Sequence, residues 1–128
     1  MPPSPTGIEL RETIRFRRWV RKAKVSRLLD DLVPILMTDP NSGDVIPGSG
    51  GIRKVRMAGH GKGKRGGFRV VYTVLIDSTL LRLLSGYSKS EKEDVSADEI
   101  AGMRKEATET EAAVRAEREA ARKNSPEV

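Results

Sequence analysis

Apolar residues near the start of the chain follow two different spacings. Ile8 and Leu10 alternate with polar neighbours, a short pattern that fits an edge strand and fits the start of a helix almost as well. After Thr13, a plausible N-cap, apolar residues recur every three or four positions, which predicts an amphipathic helix. Its apolar side holds Phe16, Trp19, Val20 and Ala23, and its basic side holds Arg15, Arg17, Arg18, Arg21 and Lys22. That basic side is either solvated or in contact with RNA.

A second helix is predicted after Ser26, which is a suitable N-cap. Its apolar stripe consists of Leu28, Leu29, Leu32, Val33 and Leu36. Pro34 lies within this stripe and lacks the N–H that a helix needs there, so we expect a kink or an early end. The segment from Thr38 to Asp44 is rich in turn-forming residues and closes the helical part.

The next apolar segments have the spacing of strands. Ile52, Val55 and Met57 alternate loosely with basic residues, as in a strand with one buried and one basic face. Phe68 to Ile76 is almost continuously apolar and rich in β-branched residues, which is typical of a strand covered on both faces. Leu80 to Tyr87 is its predicted hairpin partner, joined through residues 77–79.

The last element is predicted to be a helix that begins at a capping box formed by Ser96 and Glu99. The acidic residues around it, Glu91, Glu93, Asp94 and Asp98, suit the start of a helix. Its apolar seam is thin, and we expect the part beyond Glu106 to be exposed or frayed. The chain is therefore expected to be a single α+β domain over residues 8–106, with a flexible tail at 1–7 and a charged helical extension or tail at 107–128.

Charge is distributed unevenly along the 128 residues. Residues 1–87 contain 16 basic and 7 acidic residues, whereas residues 88–128 contain 8 basic and 11 acidic ones. The positive field thus belongs to the folded part, which indicates a polyanionic partner, either nucleic acid or an anionic membrane.

Composition also excludes several kinds of site. The chain has no cysteine and one histidine, which rules out disulfides, thiolate zinc sites, cysteine nucleophiles and a His-rich metal site. We expect neither a metal nor a cofactor. The longest apolar run is too short to span a bilayer, and the N-terminus lacks the regions of a signal peptide, so we expect a cytoplasmic protein.

The segment from Gly48 to Tyr72 contains eight glycines, seven basic residues and no acidic residue. Its GKGKRG sequence formally matches the G-x-G-x-x-G dinucleotide fingerprint, but that fingerprint needs a following helix and here a strand follows. We interpret Lys62, Lys64 and Arg65 as phosphate-binding residues on a loop with little side-chain bulk. The alternative is a solvated hairpin loop.

Basic residues on the flanking strands extend this candidate surface. A strand places Lys54 and Arg56 on one face, and Arg53 and Arg69 lie nearby in the sequence. The alternative is an exposed polar face of the sheet. Phe16 and Trp19 fit the core better than a base-stacking surface, and Tyr72 and Tyr87 fit the core and the edge of the site equally well. His60, alone in a loop, is poor support for a general base.

The ordered series GDVIPGSGGIRKVRMAGHGKGKRGGFRVVY and LLSGYSKSEKEDVS makes the chain resemble one known family. It is similar to the HigB branch of the RelE/ParE superfamily, toxins of bacterial type II toxin–antitoxin systems, from about Ile8 to Met103. The resemblance implies an α+β fold in which a helical hairpin packs on a small, curved, mainly antiparallel sheet. It also implies an mRNA endoribonuclease that acts in the ribosomal A site through attack by a ribose 2′-OH. The implied partners are an HTH-type, HigA-like antitoxin, the small ribosomal subunit and mRNA, with no membrane.

The resemblance also assigns roles to residues. Lys54 or Lys89 is expected to be the base, while Arg65 and Arg69 clamp the scissile phosphate. The implied catalytic set is Lys54, Arg56, Arg65, Arg69 and Lys89, and the implied RNA-binding set is Arg53, Lys62, Lys64, Lys92, Tyr72 and Tyr87. Several RelE-type enzymes have a tyrosine near the C-terminus, but this chain has none after Tyr87, so the general acid is unassigned.

Two other functions fit the same residues. One is a RelE/ParE-like protein that does not cut RNA, either a gyrase-directed toxin or an inactive partner of an HTH antitoxin. The other is a general RNA-binding protein, which would bind any RNA in a salt-sensitive way without cleaving it.

Overall fold

A computed structural model describes residues 7–57, 67–92 and 94–124 of the chain. Five strands and three helices follow one another in the order β1, α1, α2, β2, β3, β4, β5, α3. The strands are β1 (Glu9–Glu12), β2 (Asp44–Val45), β3 (Arg53–Met57), β4 (Phe68–Leu75) and β5 (Leu80–Ser88), and the helices are α1 (Ile14–Ala23), α2 (Leu28–Thr38) and α3 (Ala97–Asn124). The expected α+β class, with a helical hairpin and a C-terminal helix, is confirmed.

The strands form one mixed sheet in the order β1-β5-β4-β3-β2. β1 runs parallel to β5, and the other three pairs are antiparallel. The β4–β5 hairpin turns through Ile76, Asp77 and Ser78, all three with positive φ. β4 therefore lies at the centre of the sheet, as its continuous apolar sequence predicts.

The helical hairpin α1–α2 covers one face of the sheet. Phe16 of α1 and Leu32 of α2 are fully buried there, against Val70 and Tyr72 of β4. Trp19 packs edge-on against Phe68, with ring centroids 5.8 Å apart. Its ring lies so close to the backbone of β5 that a Cβ on Gly86 would come within 2.3 Å of it. The core position expected for the two aromatic residues of α1 is therefore confirmed.

Helix α3 covers part of the opposite face. Met103 and Ala107 of α3 pack with Val71 and Tyr87 of the sheet. The capping box forms as predicted, since the Ser96 hydroxyl accepts from the Glu99 N–H at 3.1 Å and a Glu99 carboxylate oxygen accepts from the Ser96 N–H at 2.9 Å. β4 is thus buried on both sides, between the hairpin and α3.

The start of α2 differs from the prediction. The helix begins at Leu28 with Arg27 at the N-cap and no capping bond from a side chain, so the assignment of Ser26 as the cap was wrong. An early end at Pro34 was also wrong, because α2 continues to Thr38. Pro34 and Asp30 are both exposed, so Pro34 lies on the solvent side of α2.

Helix α3 is better anchored than expected beyond Glu106. Thr110 and Val114 are buried, and Arg118 donates to the Thr79 hydroxyl at 2.6 Å. An ionic contact joins Arg11 of β1 to Glu117 at 2.6 Å. Most residues of this part are exposed, while the chain stays helical to Asn124 and polar contacts join it to the β1–β5 edge. Within the described residues, no helix is long and apolar enough to cross a membrane.

Replacing Gly86 by alanine should destabilise the fold, because the new methyl group collides with the Trp19 ring. We expect a loss of about 1–3 kcal/mol in the free energy of unfolding. Gly102→Ala is the matched control, since in α3 the methyl group meets only the end of the Arg15 side chain, at 3.0 Å, which must shift slightly beside Glu106. The gain in helix propensity of about 1 kcal/mol offsets that shift, so stability should change by less than in Gly86→Ala. Urea unfolding followed by the fluorescence of the single tryptophan measures both, and equal stabilities would contradict the packing argument.

Candidate functional site

Four of the side chains expected at the site lie on the α3 side of the sheet. In the β3–β4 register Lys54 is opposite Val71 and Arg56 is opposite Arg69, and in the β4–β5 register Arg69 is opposite Tyr87. Val71 and Tyr87 pack against α3, so Lys54, Arg56 and Arg69 share their face. We call these three basic residues together with Tyr87 the sheet cluster.

The register brings the members of the sheet cluster close together. Residues directly opposite each other in antiparallel strands have Cβ atoms about 5 Å apart, which applies to Arg56 with Arg69 and to Arg69 with Tyr87. Lys54 and Arg56 are two residues apart on one strand, a separation of about 7 Å. Three cations are therefore held side by side on rigid backbone.

Asp94 connects two members of the sheet cluster. Its carboxylate accepts from the Lys54 ammonium at 2.9 Å and from the Tyr87 hydroxyl at 3.3 Å. The Val95 N–H donates to the same carboxylate at 2.8 Å and fixes its orientation. From the sequence, Asp94 was interpreted only as a favourable charge before a helix. No local signal could reveal its role, because its lysine partner lies 40 residues away along the chain.

These contacts shift the pKa values of the Tyr87 hydroxyl and the Asp94 carboxyl group. Burial raises the pKa of Tyr87 to about 12, and the adjacent Asp94 carboxylate adds to the rise while Arg69 opposes it. Burial also acts to raise the pKa of Asp94, but hydrogen bonds from Lys54, Val95 and Tyr87 outweigh it and hold that pKa below its ordinary value. At neutral pH, Tyr87 is therefore a neutral donor and Asp94 is a charged acceptor.

Lys92 and Lys89 lie where β5 leads towards α3. The Lys92 ammonium is 5.5 Å from the centre of the Tyr87 ring and 2.7 Å from a Glu99 carboxylate oxygen. Lys89 is exposed, and its backbone N–H donates to the Gly67 carbonyl at 3.3 Å. Its backbone is thus tied to the residue just before β4, close to Arg69 in the sequence.

The surroundings of Lys54 differ from those expected of a base among cations. Its ammonium donates to a carboxylate, and its side chain is 29% exposed. An ammonium in such a contact acts as a donor and a positive charge, and it can accept a proton only after the contact breaks and the amine loses its own proton.

Two residues of the predicted RNA-binding set lie on the opposite face of the sheet. Tyr72 is fully buried against the helical hairpin, and its hydroxyl donates to the Pro40 carbonyl and accepts from the Gly43 N–H. The Arg53 guanidinium donates to the Gly43 carbonyl at 2.6 Å. Both side chains hold the 40–43 turn in place, so we do not include them in the site. Lys62, Lys64, Arg65 and His60 lie outside the described residues.

The arrangement can bind and polarise a phosphate group. Lysine and arginine at fixed positions stabilise negative charge on phosphoryl oxygens, and arginine does so without losing its proton. Tyr87 supplies a neutral hydroxyl, and Asp94 supplies the one carboxylate that contacts the sheet cluster among the described contacts. These are the groups that acid–base chemistry on a phosphodiester uses.

Comparison with known proteins gives two matches. A family model described as "RelE toxin of RelE / RelB toxin-antitoxin system" matches residues 11–125, which include α3. Among solved structures, the chain is similar to a mutant of the E. coli toxin RelE in the free state, in which two arginines are replaced by alanine. The TM-score is 0.50 at 18% identity, covering 67% of this chain and 87% of that one. At this identity, the structural match supports the fold.

The Tyr87 phenol should titrate at about pH 12, above the value of about 10 for a free tyrosine. Asp94→Asn should lower this pKa, because it removes the nearby negative charge while burial still raises the pKa and Arg69 still lowers it. NMR of protein labelled at the tyrosine ring carbons measures the titration, with Tyr72→Phe used to assign the signals. A pKa that stays the same in the Asp94→Asn protein would contradict the contact between the two side chains.

Proposed function

The chain belongs to the RelE toxin family of toxin–antitoxin systems, and we propose that it is an endoribonuclease that cleaves mRNA on translating ribosomes. The observation that carries this proposal is the grouping of Lys54, Arg56 and Arg69 on one face of a rigid sheet, beside the Tyr87 hydroxyl. A toxin that recognises only a protein target has no need for such a phosphate-binding arrangement.

The proposed reaction is attack of a ribose 2′-OH on the adjacent phosphate. A base takes the 2′-OH proton, the 2′-oxygen bonds to phosphorus, and the bond to the 5′-oxygen of the next nucleotide breaks. The leaving oxygen takes a proton, and the products are a 2′,3′-cyclic phosphate and a free 5′-OH. Negative charge builds up on the phosphoryl oxygens between these steps, and fixed cations stabilise it.

In this proposal Arg56 and Arg69 hold the phosphoryl oxygens. They lie directly opposite each other on β3 and β4, so two guanidinium groups can reach the same phosphate. Arg65, which follows β3 and precedes β4 in the sequence, would add a third. Because both strands belong to the packed sheet, the cations are positioned before RNA arrives, which is the condition for effective electrostatic catalysis.

Lys54 and Lys89 are the two amines proposed for proton transfer. The contact between Lys54 and Asp94 supports a role for Lys54 as a donor and a charge, and we propose the exposed Lys89 as the base. The Tyr87 hydroxyl, kept neutral by burial, is a second proton donor near Arg69. We assign Asp94 a positioning role, because it holds the Lys54 ammonium and the Tyr87 hydroxyl at fixed points.

The proposed partners follow from the same function. A toxin of this family pairs with an antitoxin, and we propose an HTH-type, HigA-like one. We also propose the A site of the small ribosomal subunit, with its mRNA, as the place of action.

Mapping the 5′ ends of cellular mRNA soon after induction of the chain tests the function as a whole. We expect new ends within translated codons, and we expect them to disappear when translation initiation is blocked. Cleavage that persists without initiation would contradict the ribosome dependence. Growth arrest with intact mRNA would contradict the nuclease and favour a toxin that acts on gyrase.

Arg69→Ala should reduce mRNA cleavage by at least a hundredfold, because it removes a fixed charge from the phosphate group in the transition state. The change should leave the fold and antitoxin binding intact. Lys105→Ala, on the exposed side of α3, is the matched control and should cleave at the normal rate. Full growth arrest by a soluble Arg69→Ala protein would rule out the role assigned to Arg69.

A further inference from the structure

The Asp94 carboxylate lies over the middle of the sheet cluster. Its Oδ2 atom accepts from the Lys54 ammonium on β3, and its Oδ1 atom accepts from the Tyr87 hydroxyl on β5. In the order of the sheet, β4 lies between these two strands. A carboxylate that contacts side chains of both β3 and β5 on one face therefore lies above β4, the strand that carries Arg69.

The cations of the sheet cluster surround this carboxylate. Arg69 is opposite Arg56 on one side and opposite Tyr87 on the other. Its charge acts on the Tyr87 hydroxyl, whose pKa it opposes in rising. The Asp94 carboxylate thus stands among fixed cations of β3 and β4, which is the arrangement that the proposed function gives to a phosphate of RNA.

The fold has other contacts that fix the segment in which Asp94 lies. Val95 is buried in the apolar cluster between α3 and the sheet, and the Ser96–Glu99 capping box follows directly. The Lys54 and Asp94 side chains are 29% and 43% exposed, and ion pairs as exposed as this contribute little to stability. Folding therefore does not account for the placement of a carboxylate among the cations of the site.

We infer that the Asp94 carboxylate takes the place of an RNA phosphate in the RNA-free protein, and that it thereby limits the binding of RNA that no ribosome presents. A phosphate that contacts Lys54 lies beside a like charge unless the carboxylate turns away, and either event costs free energy. The exposed fraction of the Asp94 side chain leaves room for such a turn into water. The inference rests on the proposed function and assigns part of its specificity to one residue.

The cost of displacing Asp94 weighs more on free RNA than on mRNA held by a ribosome. A short free strand has only its own contacts with the protein to meet that cost. On a ribosome, contacts elsewhere hold the toxin beside the mRNA, so the strand meets the sheet cluster at a high effective concentration. Asp94 thus discriminates between the two substrates without contacting the ribosome.

Asp94→Asn removes the negative charge and keeps most of the geometry. The amide oxygen can accept from the Val95 N–H and the Tyr87 hydroxyl as Oδ1 does, while an amide NH2 group replaces Oδ2 beside Lys54. Asp98→Asn is the matched control with the same change in net charge, because Asp98 is exposed in the first turn of α3 and has no described contact with the sheet cluster. Equal unfolding midpoints verify the folds.

The probe is a short single-stranded RNA with 2′-O-methyl riboses, which attack by a 2′-OH cannot cut, and its binding is measured at several salt concentrations. We expect Asp94→Asn to bind it about fivefold more tightly than Asp98→Asn, as for one negative charge removed near a phosphate in a water-exposed site. Its plot of log affinity against log salt should be steeper by about 0.7, as for one further phosphate contact on a single strand. Equal or weaker binding by Asp94→Asn would overturn the inference and leave Asp94 with a positioning role alone.

Competition during cleavage on ribosomes gives a second readout. The 2′-O-methyl RNA is added to ribosomes that carry an mRNA, and cleavage of that mRNA is followed. We expect half-inhibition of Asp94→Asn at about one fifth of the competitor concentration that Asp98→Asn needs. A residue that only positions Lys54 and Tyr87 would change the cleavage rate and leave this concentration equal, and that result would also overturn the inference.

The binding measurement separates this inference from the proposed function, because it needs no cleavage. If the wild-type chain cuts no mRNA but Asp94→Asn still binds the short RNA more tightly than Asp98→Asn, the nuclease is contradicted and the place assigned to the Asp94 carboxylate is supported. If the wild-type chain cuts mRNA but the two variants bind the short RNA equally, the nuclease stands and the inference fails.

Discussion

Burial of β4 on both of its faces is the constraint on which the rest of this structure depends. Val70 and Tyr72 face the helical hairpin, and Val71 faces α3. Because an apolar strand must be removed from water on both sides, one layer of helices cannot complete the core. The chain therefore needs α3 as a second layer, and the candidate site lies on the same face of the sheet, near the start of that helix. Arg69 and Lys54 lie there beside Tyr87 and Asp94, so the burial that stabilises the fold also groups the cations.

The segment before α3 connects the apolar cluster between α3 and the sheet to the candidate site. Val95 packs with the apolar residues that α3 buries against the sheet. Its N–H orients the carboxylate of Asp94, which accepts hydrogen bonds from the Lys54 ammonium and the Tyr87 hydroxyl. Packing of α3 on the sheet therefore also positions the carboxylate of Asp94 and its two hydrogen-bond donors. In the proposed complex with RNA, a phosphate that approaches Lys54 meets an ammonium that already donates to the Asp94 carboxylate.

Positive charge has two distinct uses in this protein. Arg15 and Arg118 are paired with acidic groups on other elements and fasten α3 to the rest of the domain. Arg56 on β3 and the exposed cations Arg18, Arg21 and Lys22 of α1 lie on opposite sides of the sheet, and the described structure pairs none of them with a carboxylate. The first group joins elements of the fold, and the second does not.

Local patterns in the sequence specified the helices, the strands and the types of chemistry. Periodicity located both helices of the hairpin, the continuous apolar run identified β4 as a strand covered twice, and the Ser96–Glu99 pair marked the start of α3, because these signals depend on neighbours within a few residues. The family resemblance named Lys54, Arg56 and Arg69. The face of the sheet that each side chain occupies became clear only from the tertiary structure. Tyr72 is buried, Arg53 contacts the 40–43 turn, and Asp94 contacts Lys54. Those outcomes depend on strand register and on where α3 docks, which join residues far apart in the sequence and leave no local pattern.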